Sequence, residues 1–243
     1  MKIMDHPSVA SSVAPSKVYA IVPAYNEEKN IEAVVSKLIN IGIAPLVIDD
    51  ASTDRTEAVA KRMGVEVVRH AVNKGKGEAI KTGIEFLLNE HPDVEHVVLI
   101  DADGQYLPEE SVKILEPLRA GRADIVAGYR DWSKVPYRHR MGNFVWRTFF
   151  NVLFGTKFKD TNCGFMALNK KAMKIIKDFL HGGYIIENTI FTQALKHGLR
   201  IEQVSVSVVY KKKSSVSRGI RVVLGVLIFI IKQGFKHRLG VSE

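Results

Sequence analysis

Two aspartates one residue apart, in the run Asp101-Ala102-Asp103-Gly104-Gln105, are the side chains of this sequence best suited to chemistry. The block before them, Val97-Val98-Leu99-Ile100, is short and apolar throughout, as a strand buried in a parallel sheet requires. The carboxylates then stand at a strand's carboxyl end, where open α/β sheets bind ligands. Their oxygens suit Mg2+ or Mn2+, hard ions that keep waters and draw further ligands from substrate phosphates. Asp-x-Asp-Gly is also good turn chemistry, so the pair takes its meaning from its company. An EF-hand is excluded by register: Gly104 is fourth in the run rather than sixth, and Val112 stands where the twelfth-place Glu is needed.

Three other segments have the same placement. Pro23-Ala24-Tyr25-Asn26-Glu27-Glu28 follows an apolar run at 18–22, and Asp49-Asp50-Ala51-Ser52-Thr53-Asp54-Arg55-Thr56 follows Leu46-Val47-Ile48. Asn73-Lys74-Gly75-Lys76-Gly77 comes after a third run at 65–68. Singly these could be a proline turn, a helix cap and a glycine turn, but turns do not require acids stacked along one sheet edge. Glu27 and Asp50 can accept hydrogen bonds from a nucleobase or ribose, and Tyr25 offers a base a flat face. The glycines let backbone approach phosphate, where Lys76 can add positive charge. No G-x-G-x-x-G follows the first strand and no G-x-x-x-x-G-K-[ST] occurs. These absences argue against a dinucleotide oxidoreductase and a P-loop nucleotidase.

The elements that must hold these residues alternate, strand then helix, as in a parallel α/β sheet. A helix is expected from Asn26, with Glu27 and Glu28 at its positive end and Ile31, Val34, Val35 and Leu38 at helical spacing. The next is capped near Thr53 or Asp54 and stops at Gly64, and others are expected at 77–89 and from Pro108. A fifth strand falls at 124–128. Residues 141–154 carry Phe144, Trp146, Phe149, Phe150 and Phe154 at helical spacing. That stripe suits a core helix or, beside Arg138, Arg140 and Arg147, an interfacial one. Helices at 175–180 and 186–197 and a strand at 201–209 complete the pattern. The division expected is a loose tail at 1–17, one domain at 18–210 and a basic, membrane-associating segment at 211–243.

At 243 residues, 46% hydrophobic and 25% charged, the composition is that of an ordinary globular protein. One cysteine, Cys163, excludes an internal disulfide and a Cys-based zinc cluster, and no H-x-x-x-H pair suggests a zinc hydrolase. The net charge of +9 is concentrated late: residues 211–238 hold eight Lys or Arg and no Asp or Glu. Such segments attract nucleic acid or anionic membrane. Within this one, residues 222–231 are an apolar block too short to span hydrocarbon, which needs about 20 residues. The block suits a helix lying in the headgroup region with cations at both ends, or a buried core helix. A nucleic-acid helix would not be apolar all round, so no nucleic-acid partner is expected. No second long apolar stretch supports a multi-span protein.

The four strand-end motifs together resemble those of family 2 inverting glycosyltransferases of GT-A fold, and most closely those of dolichyl-phosphate mannose and glucose synthases. The likeness covers roughly residues 18–210. It implies a GT-A, Rossmann-like, mostly parallel sheet with flanking helices, followed by the apolar C-terminal helix. By that likeness Pro23, Tyr25, Glu27, Ile48 and Asp50 would hold the nucleoside. Asp101, Asp103 and Gln105 would be the metal and diphosphate site, and Lys76 and Ala102 are further candidates for holding the nucleotide sugar. Gly128-Tyr129-Arg130 stands where the family has Gly-Ser-Arg, keeping the arginine. Arg138, with Arg140 near it, lies in the stretch that binds acceptor phosphate. Asp160-Thr161-Asn162-Cys163-Gly164-Phe165 is similar to the Asp-Thr-Gln-Cys-Gly-Phe of the glucosyl type, which favours a uridine nucleotide. The run from Lys211 to Arg218 stands where the family has Arg-x-x-Gly-x-Ser-Lys, without its glycine.

The function so implied is transfer of a sugar, with inversion, from a nucleotide sugar to a polyprenyl or dolichyl phosphate at the cytoplasmic face of a membrane. Asp101, Asp103, Arg130 and Asp160 would be catalytic. Asp160 and Glu187 are also candidates for orienting sugar or acceptor. Two alternatives stand beside it: the same chemistry on a soluble sugar, glycan or protein, with Asp160 as base, and a non-catalytic protein that binds a nucleotide sugar or a membrane.

Overall fold

The computed structural model describes residues 17–131, 137–181 and 186–209, with 231 and 233 beyond them. The tail before Lys17 and the basic and apolar C-terminal segment, those two residues apart, lie outside the described residues. The strands are β1 (Val18–Ala24), β2 (Ala44–Asp49), β3 (Glu66–Arg69), β4 (His96–Leu99), β5 (Ile125–Arg130), β6 (Met166–Asn169) and β7 (Ile201–Val206). The helices are α1 (Ile31–Asn40), α2 (Thr56–Arg62), α3 (Lys76–Glu90), α4 (Ser111–Arg119), α5 (Tyr137–Phe154), α6 (Lys170–Ile176) and α7 (Ile186–Lys196). The strands form one sheet in the order β3-β2-β1-β4-β6-β5-β7. Every pairing is parallel except those of β6, which runs against both β4 and β5. The carboxyl ends of the other six strands therefore share one edge, and the amino end of β6 meets them there.

The apolar runs are continuous because both faces of the sheet are covered. Along β1, Tyr19 and Ile21 face one core with α3, α6, α7 and the end of α5, while Ala20 and Val22 face another with α1, α2 and α4. Helix α1 buries Ile31, Val34, Val35 and Leu38, the four positions its spacing nominates. On α3, Gly83 lets helix and sheet meet closely, since a Cβ there would stand 2.8 Å from Ile21.

Several expectations need correction. Helix α1 begins at Ile31, not Asn26. Asn26 adopts a left-handed φ of 57° and its Oδ1 accepts from the Thr53 N–H, so it ties the β1 loop to the β2 loop. The helix expected at 175–180 is α6, starting at Lys170 because the Asn169 side chain accepts from the Ala172 N–H (2.8 Å) and caps it. A single 3-10 turn, Lys177–Phe179, follows it. Strand β6 was not anticipated at all. The aromatic stripe of α5 divides: Phe150 and Phe154 enter the core, whereas Phe144 and Phe149 are exposed.

Candidate active site

The shared sheet edge opens into a cleft of about 250 Å³ lined by Pro23, Ala24, Tyr25, Glu27, Asp50, Lys76, Ala79, Asp101, Ala102 and Asp103. Eight of these were nominated from the sequence. Tyr25 is 48% exposed, a large aromatic face left open to it. Ile48 does not reach the cleft: its side chain is fully buried in the core, beside Pro23 in the β1–β2 register.

The two acids ending β2 take opposite faces. Asp49 is fully buried and ion-paired to Arg69, with Oδ1 accepting from the Ser52 N–H. Asp50 turns toward the cleft and organises the glycine-rich loop. Its Oδ1 accepts from the Lys74 N–H (2.8 Å) and its Oδ2 from the Gly75 N–H (2.7 Å). His70, buried, places Nδ1 2.7 Å from Asp50 Oδ1 and Nε2 2.9 Å from Thr82 Oγ1 on α3. A carboxylate only accepts, so Nδ1 donates to it, and Nε2 shares a hydrogen bond with the threonine hydroxyl. Gly75 sits at φ 89°, a conformation that suits glycine, and α3 starts at the next residue.

That start aims Lys76 at the end of β4. Its Nζ lies 2.7 Å from Asp101 Oδ1, 3.0 Å from Asp101 Oδ2 and 3.3 Å from Glu187 Oε1. Burial works against the charge, but Asp101 and then Glu187 outweigh it and hold the ammonium above its ordinary pKa. Glu187 comes from the first turn of α7. Gly164 leaves room for the cluster: a Cβ there would fall 2.7 Å from Lys76 Nζ, 3.1 Å from Glu187 Oε1 and 3.2 Å from Asp101 Oδ2.

Asp103 Oδ1 accepts from the Gln105 N–H (2.9 Å), which closes the turn, and the Gln105 carbonyl accepts from the Val209 N–H (2.8 Å). Tyr106 pairs with Val208 as an antiparallel bridge, and its hydroxyl accepts from the Gly164 N–H. The chain thus passes beside the aspartate loop immediately before the basic segment. Among the described residues no three His, Cys, Asp or Glu side chains converge as a metal cage. Two carboxylates on an open cleft instead fit a hard ion that completes its shell from phosphate oxygens. The Lys76 ammonium already seats positive charge on one of them.

At the end of β5, Arg130 forms a two-point ion pair with Asp160, Nε to Oδ2 at 2.7 Å and Nη2 to Oδ1 at 3.0 Å. Asp160 is 1% exposed and also accepts from the Asn162 N–H. Burial opposes the Arg130 charge, and the Asp160 hydrogen bonds and charge overcome it, raising its pKa. Neither residue lines the cleft. Arg138 and Arg140 fall in the first turns of α5, and their side chains lie outside the described residues.

The match that decides the family covers more than half the chain: the model of glycosyl transferase family 2 fits residues 19–176. The chain belongs to glycosyl transferase family 2. This glycosyltransferase is 29% identical over 241 residues to the UDP-N-acetylglucosamine--dolichyl-phosphate N-acetylglucosaminyltransferase of Methanococcus voltae, covering 89% of this chain and 95% of that one. It is 26% identical to the polyprenol monophosphomannose synthase of Mycolicibacterium smegmatis, over 81% and 79% of the two chains. In fold it is similar to glucosyl-3-phosphoglycerate synthase from Mycobacterium tuberculosis, crystallised with Mn2+ and UDP-glucose. That match has a TM-score of 0.74 at 21% identity, over 93% of this chain and 80% of that one. The glycosyltransferase sheet is of GT-A type, as its motifs implied.

Sequence reasoning missed three contributors to this family 2 site. His70 and Thr82 act behind Asp50, and Tyr106 braces the aspartate loop against Gly164. A histidine just before the glycine-rich loop was the available signal for the first. Nothing in the local pattern marks the other two.

Proposed function

We propose that this glycosyltransferase moves a sugar, with inversion at the anomeric carbon, from a nucleotide sugar to a polyprenyl or dolichyl phosphate at a membrane surface. The observation that carries this reading is the state of the two carboxylates that could deprotonate a hydroxyl acceptor. Asp160 is clamped by Arg130 and Glu187 is held by Lys76. A phosphate acceptor is already anionic and needs neither. The names of the Methanococcus and Mycolicibacterium relatives, which specify lipid phosphates, support the same choice.

In this scheme Tyr25, Glu27 and Asp50 bind the nucleoside, with Pro23 beside them in the cleft lining. Lys76 and Ala102 face the diphosphate. Asp101, Asp103 and Gln105 would hold Mg2+ or Mn2+, which when bound neutralises charge on the leaving diphosphate. An acceptor phosphate oxygen bonds to the anomeric carbon as the bond from that carbon to the diphosphate oxygen breaks. The electron pair leaves with the nucleoside diphosphate, and no proton moves. Arg130, positioned by Asp160, Arg138 and Arg140 supply cations on the acceptor side, and the run from Lys211 to Arg218 supplies them at the donor diphosphate. A uridine nucleotide is the favoured donor, and the cytoplasmic face the favoured side.

The membrane reading has its own support. Helix α5 exposes Phe144, Val145, Phe149 and Val152 along one stripe, with Arg147 over the Phe144 ring. Such a face suits shallow burial among headgroups. No described helix is long and apolar enough to cross a membrane. The test is a panel of labelled nucleotide sugars offered with one polyprenyl phosphate, with and without Mg2+ or Mn2+. Metal-dependent label in the lipid extract is expected. Label appearing only on water-soluble sugars or protein would replace this reading with the soluble-acceptor one.

A further inference from the structure

The ammonium of Lys76 sits where a divalent ion on Asp101 would have to compete with it. Both Asp101 oxygens face Nζ, at 2.7 and 3.0 Å, so the lysine claims the whole carboxylate rather than one corner. The backbone at this point cannot shift easily, because the Lys74 and Gly75 N–H groups are anchored on Asp50 and α3 begins at Lys76. The side chain can. It has a second seat on Glu187, 3.3 Å away, and Gly164 supplies the space around that seat.

We propose that Lys76 is the resident counter-cation of Asp101, displaced when the metal arrives and re-partnered by the donor diphosphate, with Glu187 as its tether. This inference rests on the metal and nucleotide-sugar reading above. It adds that metal and nucleotide enter as a coupled pair. Without nucleotide, the ion must evict a well-seated ammonium and binds weakly. With nucleotide, the diphosphate accepts the ammonium and ligates the ion, so both bind more tightly. Thermodynamic linkage then requires that Mn2+ tighten nucleotide binding by the same factor that nucleotide tightens Mn2+ binding.

The experiment is Mn2+ titration of the full chain, followed by the loss of the free-ion electron paramagnetic resonance signal, with and without UDP. Wild type should bind Mn2+ at least about 10-fold more tightly when UDP is present, within the usual range of such couplings. In Lys76→Gln the affinity without UDP should rise about 5- to 10-fold, and the UDP effect should shrink by a similar factor. Lys76→Met removes the charge but keeps an unbranched stem, so it should shift both quantities the same way. That second variant decides the matter if Lys76→Gln does not fold. Unchanged Mn2+ affinity without UDP in both variants, with UDP-assisted binding intact, overturns the inference alone. A gain in Lys76→Gln that leaves the UDP effect at its wild-type size is a mere field effect and also overturns it. If the wild type binds no Mn2+ even with UDP, the metal reading falls and the inference falls with it.

Discussion

At the residue scale the site depends on charges whose partners can be named. Asp103→Asn should abolish transfer while leaving the thermal melt near wild type. A loss of only about threefold in saturating Mg2+ or Mn2+ corresponds to ~0.7 kcal/mol, too little for a metal ligand, and would remove Asp103 from that role. His70 tests the support behind Asp50. Phenylalanine fills the same space but offers neither hydrogen bond. A buried carboxylate that loses a partner costs about 1–3 kcal/mol, so His70→Phe should raise the donor KM roughly 10-fold with kcat changed little. Equal falls in kcat with donor KM untouched would place His70 outside donor binding. The motifs already marked Asp50, Lys76, Asp101 and Asp103. They did not say that Asp49 would turn to Arg69, or that Lys76 would meet Glu187, 111 residues away. Such pairings depend on which face of a strand or helix each residue takes, and on long-range packing.

At the element scale, one acid knits the later strands together. Asp124, just before β5, accepts from the Arg200 N–H ahead of β7 and from the Asn169 side chain at the end of β6, both at 2.9 Å. Burial pushes its pKa up, but the Arg200 and Asn169 hydrogen bonds outweigh this and hold it at about 2. A carboxylate depressed in the fold stabilises it above the unfolded value near 3.8, and that stabilisation is lost as pH falls through about 2. The depression is worth about 2 kcal/mol. Urea unfolding should therefore find Asp124→Asn less stable than wild type by roughly that amount at pH 6, with the gap closing toward pH 2. A gap that does not change with pH would trace the loss to packing. The elements themselves were unevenly legible. Strands β1, β2 and β4 are short apolar blocks ended by turn residues, and burial on both faces makes such blocks conspicuous. Strand β6, Met-Ala-Leu-Asn, has no β-branched residue and no alternation, and its place between β4 and β5 is decided by partners far along the chain.

On the scale of the whole molecule, the proposed membrane contact has two candidate surfaces. Removing residues 222–243 should release the protein from anionic vesicles and lower activity on long-chain acceptors, with a short water-soluble analogue much less affected. Each cation near an anionic surface adds about 1 kcal/mol at low salt, so wild-type binding should weaken as salt rises while an apolar part persists. A truncated protein that is folded and still co-sediments would move the contact to the exposed stripe of α5. An unfolded product would make the block a core helix instead. The reversed strand β6 has a consequence of another kind. Running backwards between β4 and β5, it joins the stretch of chain that lines the cleft to the stretch that carries Arg130 and Asp160. The described residues that line the cleft all precede Tyr106, and Arg130 and Asp160 both follow Asp124. The halves meet along a seam of four β4–β6 residue pairs. A chimera joined between α4 and β5 could thus exchange acceptor preference as a cassette while donor preference stays behind, provided that Lys76 still finds a carboxylate across the join.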